Sequence, residues 1–202
     1  MTGRIRAATI EEVARDPGDW VFVDLGFAVK KKKTCGLLLG DGEPRVVTFS
    51  ELRSKIAGIC RATGAPLNLL IEAPLSVAFG ANGNPAGRTI ELRANKPRYW
   101  YVGPASSVLV AATYLLRTIH DLPPQREVRL VEGLVSFKTS KVRSSHTKDV
   151  IEMRELVWTR SAALGRIFGA ADLPKDRGDH VQSAFLVSGM DFGVPPVVAI
   201  GA

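Results

Sequence analysis

Asp24 stands inside the apolar run Trp20 to Leu25 (WVFVDL), and Glu72 lies near the end of a second run, Leu67 to Ala73 (LNLLIEA). Runs of this kind suit strands covered on both faces of a sheet. A carboxylate there loses its hydration and needs a cation or hydrogen-bond donors in exchange. If the two strands lie side by side, their acids converge on one point, and hard oxygen donors suit divalent ions such as Mg²⁺ or Mn²⁺. Two such ions roughly 3.5 to 4 Å apart activate water and stabilise the leaving oxygen in phosphodiester cleavage. The plainer alternative is that each acid pairs with an arginine or caps backbone amides at a strand end.

The elements that must place these acids follow from the patterning. Thr9-Ile10-Glu11-Glu12 fits a capping box that opens a short helix. After the Trp20–Leu25 strand, Lys30 to Lys33 reads as a turn. Thr34–Leu39 (TCGLLL) and Arg45–Phe49 (RVVTF) read as strands around the turn Asp41-Gly42. Ser50 is placed to cap a helix from Glu51 to about Thr63. Leu67–Ala73 follows as a fourth strand, then a Gly- and Asn-rich loop from Ala78 to Pro97.

A helix is expected from about Pro104 to His120, with Val108, Ala112, Leu115, Leu116 and Ile119 at helical spacing. Val128–Phe137 is a fifth strand, containing Glu132. Helices are expected from about Ser145 to Phe168 and from His180 to Met190, and a short last strand from Pro196 to Ile200. Three meandering strands followed by alternating helices and strands give an α/β fold, a mixed five-stranded sheet with helices on both faces.

The 202 residues suit one domain spanning 1–202, long enough to bury a full core. Hydrophobic residues are 46% and charged residues 23%, which excludes disorder, coiled coil and collagen-like repeat. Lys plus Arg number 27 against 20 Asp plus Glu, so a formal charge of +7 is compatible with a polyanionic partner. Cys35 and Cys60 are too few for a disulfide framework or a zinc site and read as reduced core thiols. The first ten residues contain no apolar stretch of signal-peptide length, and the run Tyr99–Leu116 is too interrupted to span a bilayer. A soluble cytoplasmic protein is expected.

The segments VFVDLGFAVKKKTCGLLL and LLIEAPLSVAF, with the GNPAGR that follows, resemble the ribonuclease H-like superfamily. Within it they are most similar to the DUF429-like nucleases and, more distantly, to Holliday-junction resolvases. The resemblance implies a ribonuclease H-like sheet and a metal-dependent nuclease acting on DNA or RNA by a two-metal mechanism. It implies metal ligands at Asp24 on the first strand and at Glu72 on the fourth. Glu72-Ala73-Pro74-Leu75 and Gly87-Arg88 match the acid-Ala-Pro-Leu stretch and Gly-Arg loop of the group, and Glu132 matches its fifth-strand Glu.

For the last acid there are two candidates. Asp179 precedes the expected final helix, where the superfamily carries its acid, although the second acid common there is Ser183 in this chain. Asp149 is the rival: His146-Thr147-Lys148-Asp149 resembles the His-x-x-Asp of junction resolvases and puts both side chains on one helical face. Asp24 would then bridge two ions, Glu72 would hold one, and Asp179 or Asp149 the other. No protein nucleophile is needed, and no Gly-x-Ser-x-Gly elbow is present.

Gly83 to Thr89 is one residue short of a phosphate-binding loop and contains Pro85, so a P-loop is rejected. Arg88, Lys31, Lys32 and Lys33 are candidate phosphate contacts; Arg93 is another. Tyr99, Trp100 and Tyr101 beside Arg98 are able to stack on bases or to pack in the core. Two other functions compete. One is a non-catalytic nucleic-acid-binding or scaffold protein with a degenerate site, a reading that rests on Ser183. The other is an actin- or sugar-kinase-like ATPase, whose first strand also carries an Asp and a Gly, as Asp24-Leu25-Gly26 does here.

Overall fold

The computed structural model describes residues 5–15, 18–26, 33–93, 96–97, 104–122, 125–135 and 145–201. Strand β1 (Ile5–Ala7) leads into helix α1 (Ile10–Arg15), which opens with the expected capping box. The Thr9 amide donates to Glu12 Oε2 at 2.8 Å, and the Glu12 amide to Thr9 Oγ1 at 3.2 Å. Strands β2 (Asp19–Leu25), β3 (Cys35–Leu39) and β4 (Arg45–Val47) form the meander. Helix α2 (Phe49–Arg61) is capped by Thr48 rather than Ser50. Thr48 and Glu51 complete a capping box, so strand β4 ends at Val47 instead of continuing to Phe49.

Strand β5 (Leu67–Glu72) pairs in parallel with β2. Small strands follow: β6 (Ser76–Phe79), β7 (Pro85–Ala86), β8 (Leu92–Arg93) and β9 (Lys96–Pro97). Helix α3 (Pro104–His120) takes the expected span, and strand β10 (Val128–Leu134) lies parallel to β5. Helix α4 (His146–Thr159), β11 (Gly165–Phe168), β12 (His180–Ser183) and β13 (Val197–Ile200) complete the chain.

The main sheet has eight strands, not five. Its order is β11-β13-β10-β5-β2-β3-β4, with β1 alongside β10. The five strands of the expected sheet form the consecutive block β10-β5-β2-β3-β4; the expected short last strand joins it as β13, and β1 and β11 are the additions. Alternation along β2 sends Val21, Val23 and Leu25 into the core made with α2 and α3. Trp20 and Phe22 enter the opposite core, made with α4 and Val13 of α1. Asp24 shares the second face by the same period.

Two expected helices are corrected. Helix α4 stops at Thr159, where Arg160 takes a left-handed conformation (φ 54°) and its guanidinium donates to the Val13 carbonyl. After a turn, Gly165–Phe168 form β11, which pairs antiparallel to β13. Residues 180–190 form β12 and a short 3-10 turn rather than a helix. Pairing with β6 satisfies the backbone of residues 180–183, and Gly189 at positive φ closes the 3-10 turn that follows. Among the described residues, no helix is long and apolar enough to cross a membrane.

Candidate metal centre

Asp24 and Glu72 are direct partners in the β2–β5 ladder, at the ends where the two parallel strands finish. Strand alternation turns both toward α4. The third acid comes from that helix. Ser145 caps it by accepting from the Lys148 amide at 3.3 Å, which starts the helix at His146 and leaves Asp149 in its first turn. Carboxylate oxygens of Asp24, Glu72 and Asp149 all lie within 4.8 Å of one another. Asp24 and Asp149 are 5% and 7% exposed, and Glu72 is half-buried.

Three carboxylates at this separation repel one another unless positive charge or protons stand among them. Among the described residues, His146 stands beside them, with Nδ1 2.6 Å from Asp24 Oδ2. A carboxylate oxygen accepts, so Nδ1 carries the proton of this hydrogen bond. All the acids' donor atoms are hard oxygens, and the set suits Mg²⁺ or Mn²⁺ rather than a soft metal.

Two glycines let the helix reach the strands. A Cβ on Gly36 of β3 would stand 2.5 Å from the His146 carbonyl oxygen and 3.1 Å from Val150 Cγ1. A Cβ on Gly26, just beyond β2, would strike the Thr34 carbonyl and the His146 ring, with Nε2 at 2.6 Å. Sequence reasoning did not find these glycines as part of the site. The available signal was a glycine inside the strand pattern TCGLLL, which marks close approach of another backbone.

The two candidates for the last acid are separated by geometry. Asp149 joins Asp24 and Glu72, and Asp179 does not. Asp179 precedes β12 in the small β12-β6-β7 sheet, where its Oδ2 accepts from the Asp176 amide at 3.0 Å. Without a final helix, the position that favoured Asp179 has no counterpart. Ser183 is buried opposite Ser76 in the same small sheet and stands outside the acid cluster. His180 stacks on Phe79, with ring centroids 5.5 Å apart.

Arg88 is also corrected, from a phosphate contact to a core residue. It is fully buried and donates to Ser76 Oγ at 2.8 Å and to Glu132 Oε2 at 2.9 Å. It also pairs with Glu91 at 3.0 Å and with Glu132 Oε1 at 2.8 Å. Glu132 Oε2 accepts the Leu75 amide at 2.9 Å, so this acid braces the turn after Glu72. Glu132 follows the period of Val128 and Leu130, on the sheet face away from α4. One guanidinium among two carboxylates leaves excess negative charge in the core, and burial pushes the Glu91 carboxyl above its usual range.

Lys33 is exposed just before β3. Lys31, Lys32 and the aromatic group Tyr99, Trp100 and Tyr101 lie outside the described residues, as does Arg98. No family model, curated protein or solved structure matches the chain.

Proposed function

We propose that this chain is a metal-dependent nuclease, hydrolysing phosphodiester bonds of DNA or RNA at the centre formed by Asp24, Glu72 and Asp149. The observation that carries the reading is the convergence of these three acids from two adjacent strand ends and one helix start. It accords with the resemblance to ribonuclease H-like nucleases, whose sheet the strand block β10-β5-β2-β3-β4 would supply.

Asp24, Glu72 and Asp149 would hold Mg²⁺ or Mn²⁺, which when bound supplies an activated water and stabilises negative charge on the phosphate. His146 holds Asp24 in one orientation through Nδ1. The sequence adjoining these elements is basic. Lys30 to Lys33 follow the Asp24 strand, and Lys138, Lys141 and Arg143 precede the helix of His146, with no acid among either group. Clustered cations of this kind favour a polyanionic backbone.

The test is Mn²⁺ titration by calorimetry on the wild type and on Asp24→Asn, followed by cleavage assays on labelled single-stranded, duplex and branched DNA and RNA. Saturable binding and cleavage, both lost in the variant, are expected. A folded wild type that neither binds Mn²⁺, with or without nucleic acid, nor cleaves any substrate overturns the reading.

A further inference from the structure

We infer that Gly26 and Gly36 are positioning residues for the acid cluster, forming a side-chain-free seat on which the first turn of α4 rests. The inference rests on the metal-centre reading above for its consequence, but not for its geometry. Gly36 is the ladder partner of Asp24. The strand residue beside the first acid is therefore the one whose missing side chain admits the helix that carries the third. Its added Cβ would meet backbone, the His146 oxygen at 2.5 Å and the His146 carbonyl carbon at 3.0 Å. Backbone cannot rotate away as a side-chain tip can, so the helix start must lift. Gly26 backs the other half of the same residue, because its Cβ would meet the His146 ring as well as the Thr34 carbonyl oxygen, the nearest atom at 2.0 Å.

A lift at His146 is felt at both functional contacts. His146 Nδ1 holds Asp24 Oδ2 at 2.6 Å, and Asp149 follows one helical turn later with its oxygen inside the 4.8 Å cluster. A displacement of a few tenths of an ångström lengthens the first and widens the second. Gly133 gives α4 a third place of close approach, beside Glu72, but there the neighbour is Met153 Sδ at 2.5 Å, a flexible end that is able to move. The seat under His146 is the rigid one. Neither glycine is among the clustered acids, so Gly36 acts through the start of α4, and Gly26 through the His146 ring and the Thr34 backbone.

The experiment compares Gly36→Ala, Gly26→Ala and the control Gly58→Ala, whose Cβ meets nothing within 4 Å. Each variant is checked for folding by circular dichroism. The His146 imidazole is then followed by nitrogen-15 NMR, in which the Nδ1-bound proton shared with Asp24 gives a downfield signal, and Mn²⁺ affinity is measured by calorimetry. We expect Gly36→Ala to fold, to lose that signal, and to bind Mn²⁺ roughly 10- to 100-fold more weakly, the scale of losses when a ligand's supporting contact is removed. Gly58→Ala is expected to keep both.

Retention of the His146 signal and of wild-type affinity in Gly36→Ala and Gly26→Ala overturns the seat. If Gly36→Ala does not fold, Gly26→Ala, outside the ladder, decides by the same two readouts. If the wild type takes up no Mn²⁺, the metal-centre reading fails, and the imidazole signal alone decides whether the glycines position His146.

Discussion

Glu132 and Glu72 lie on neighbouring strands, one ladder position apart, yet they point to opposite faces of the sheet. Gly133 is the partner of Glu72, and Glu132 is the partner of Ile71. One acid therefore joins the cluster under α4, and the other is consumed by Arg88 in the core beyond. A one-residue shift of β10 against β5 would turn Glu132 to the face of α4 and away from Arg88, while Glu72 kept its place beside Asp24.

Asp149→Asn is expected to weaken Mn²⁺ binding as strongly as Asp24→Asn does, and Asp179→Asn to leave it unchanged. Calorimetry on the three variants side by side checks the assignment. Equal loss in Asp179→Asn would show that the acid before β12 reaches the site after all.

Truncation of the buried arginine has a different signature. Arg88→Ala leaves Glu91 and Glu132 buried without their cation, and breaking such a network costs about 3 to 5 kcal/mol. Urea unfolding measures it. The pairing of β2 with β5 that holds Asp24 beside Glu72 does not pass through Arg88, so the folded fraction should still bind Mn²⁺.

The surface near α1 gives a pH prediction. Hydrogen bonding from Arg6 pulls the Glu12 carboxyl from its ordinary 4.5 down to about 2. Because the folded value lies below the unfolded one, the stabilisation is complete above about 4.5 and disappears as pH falls toward 2. Glu12→Gln should flatten that part of the stability-versus-pH curve. An unchanged slope would place the acid sensitivity elsewhere.

Burial pushes the Cys60 thiol up to about 11 and raises Cys35 as well. Neither thiol should react with Ellman's reagent at pH 8 in the native protein, and both should react in urea. Native reactivity near the denatured rate would mean that α2 or β3 opens locally.

Gly58 is exposed in the interior of α2 with open space where a Cβ would stand. Gly58→Ala should therefore stabilise the protein by about 0.5 to 1 kcal/mol. Thermal unfolding checks it, and the same substitution at Gly36 should have the opposite sign.

The parts of the fold legible in the sequence were those whose hydrophobic period is unambiguous. The runs WVFVDL and LNLLIE became β2 and β5, and the stripe Ala112, Leu115, Leu116 and Ile119 became the buried face of α3. Two of the three clustered acids were legible for the same reason, as charges interrupting apolar strands. Asp149 stayed one of two candidates because a first-turn acid also suits a helix dipole and needs no ligand. The segments 165–168 and 180–183 were misread because short strands at a sheet edge or in a small sheet owe their pairing to tertiary partners rather than to their own periodicity. Arg88 misled for a different reason: a loop arginine looks solvent-facing until its partners, 3 and 44 residues away, are seen.

The bond between His146 and Asp24 joins residues 122 apart in sequence. During synthesis the strands bearing Asp24 and Glu72 leave the ribosome well before the helix that supplies His146 and Asp149. The acid trio therefore cannot exist in a chain that stops before α4. Its assembly requires the docking of α4, so a hydrolytic centre at this place would stay silent until that helix covers the sheet.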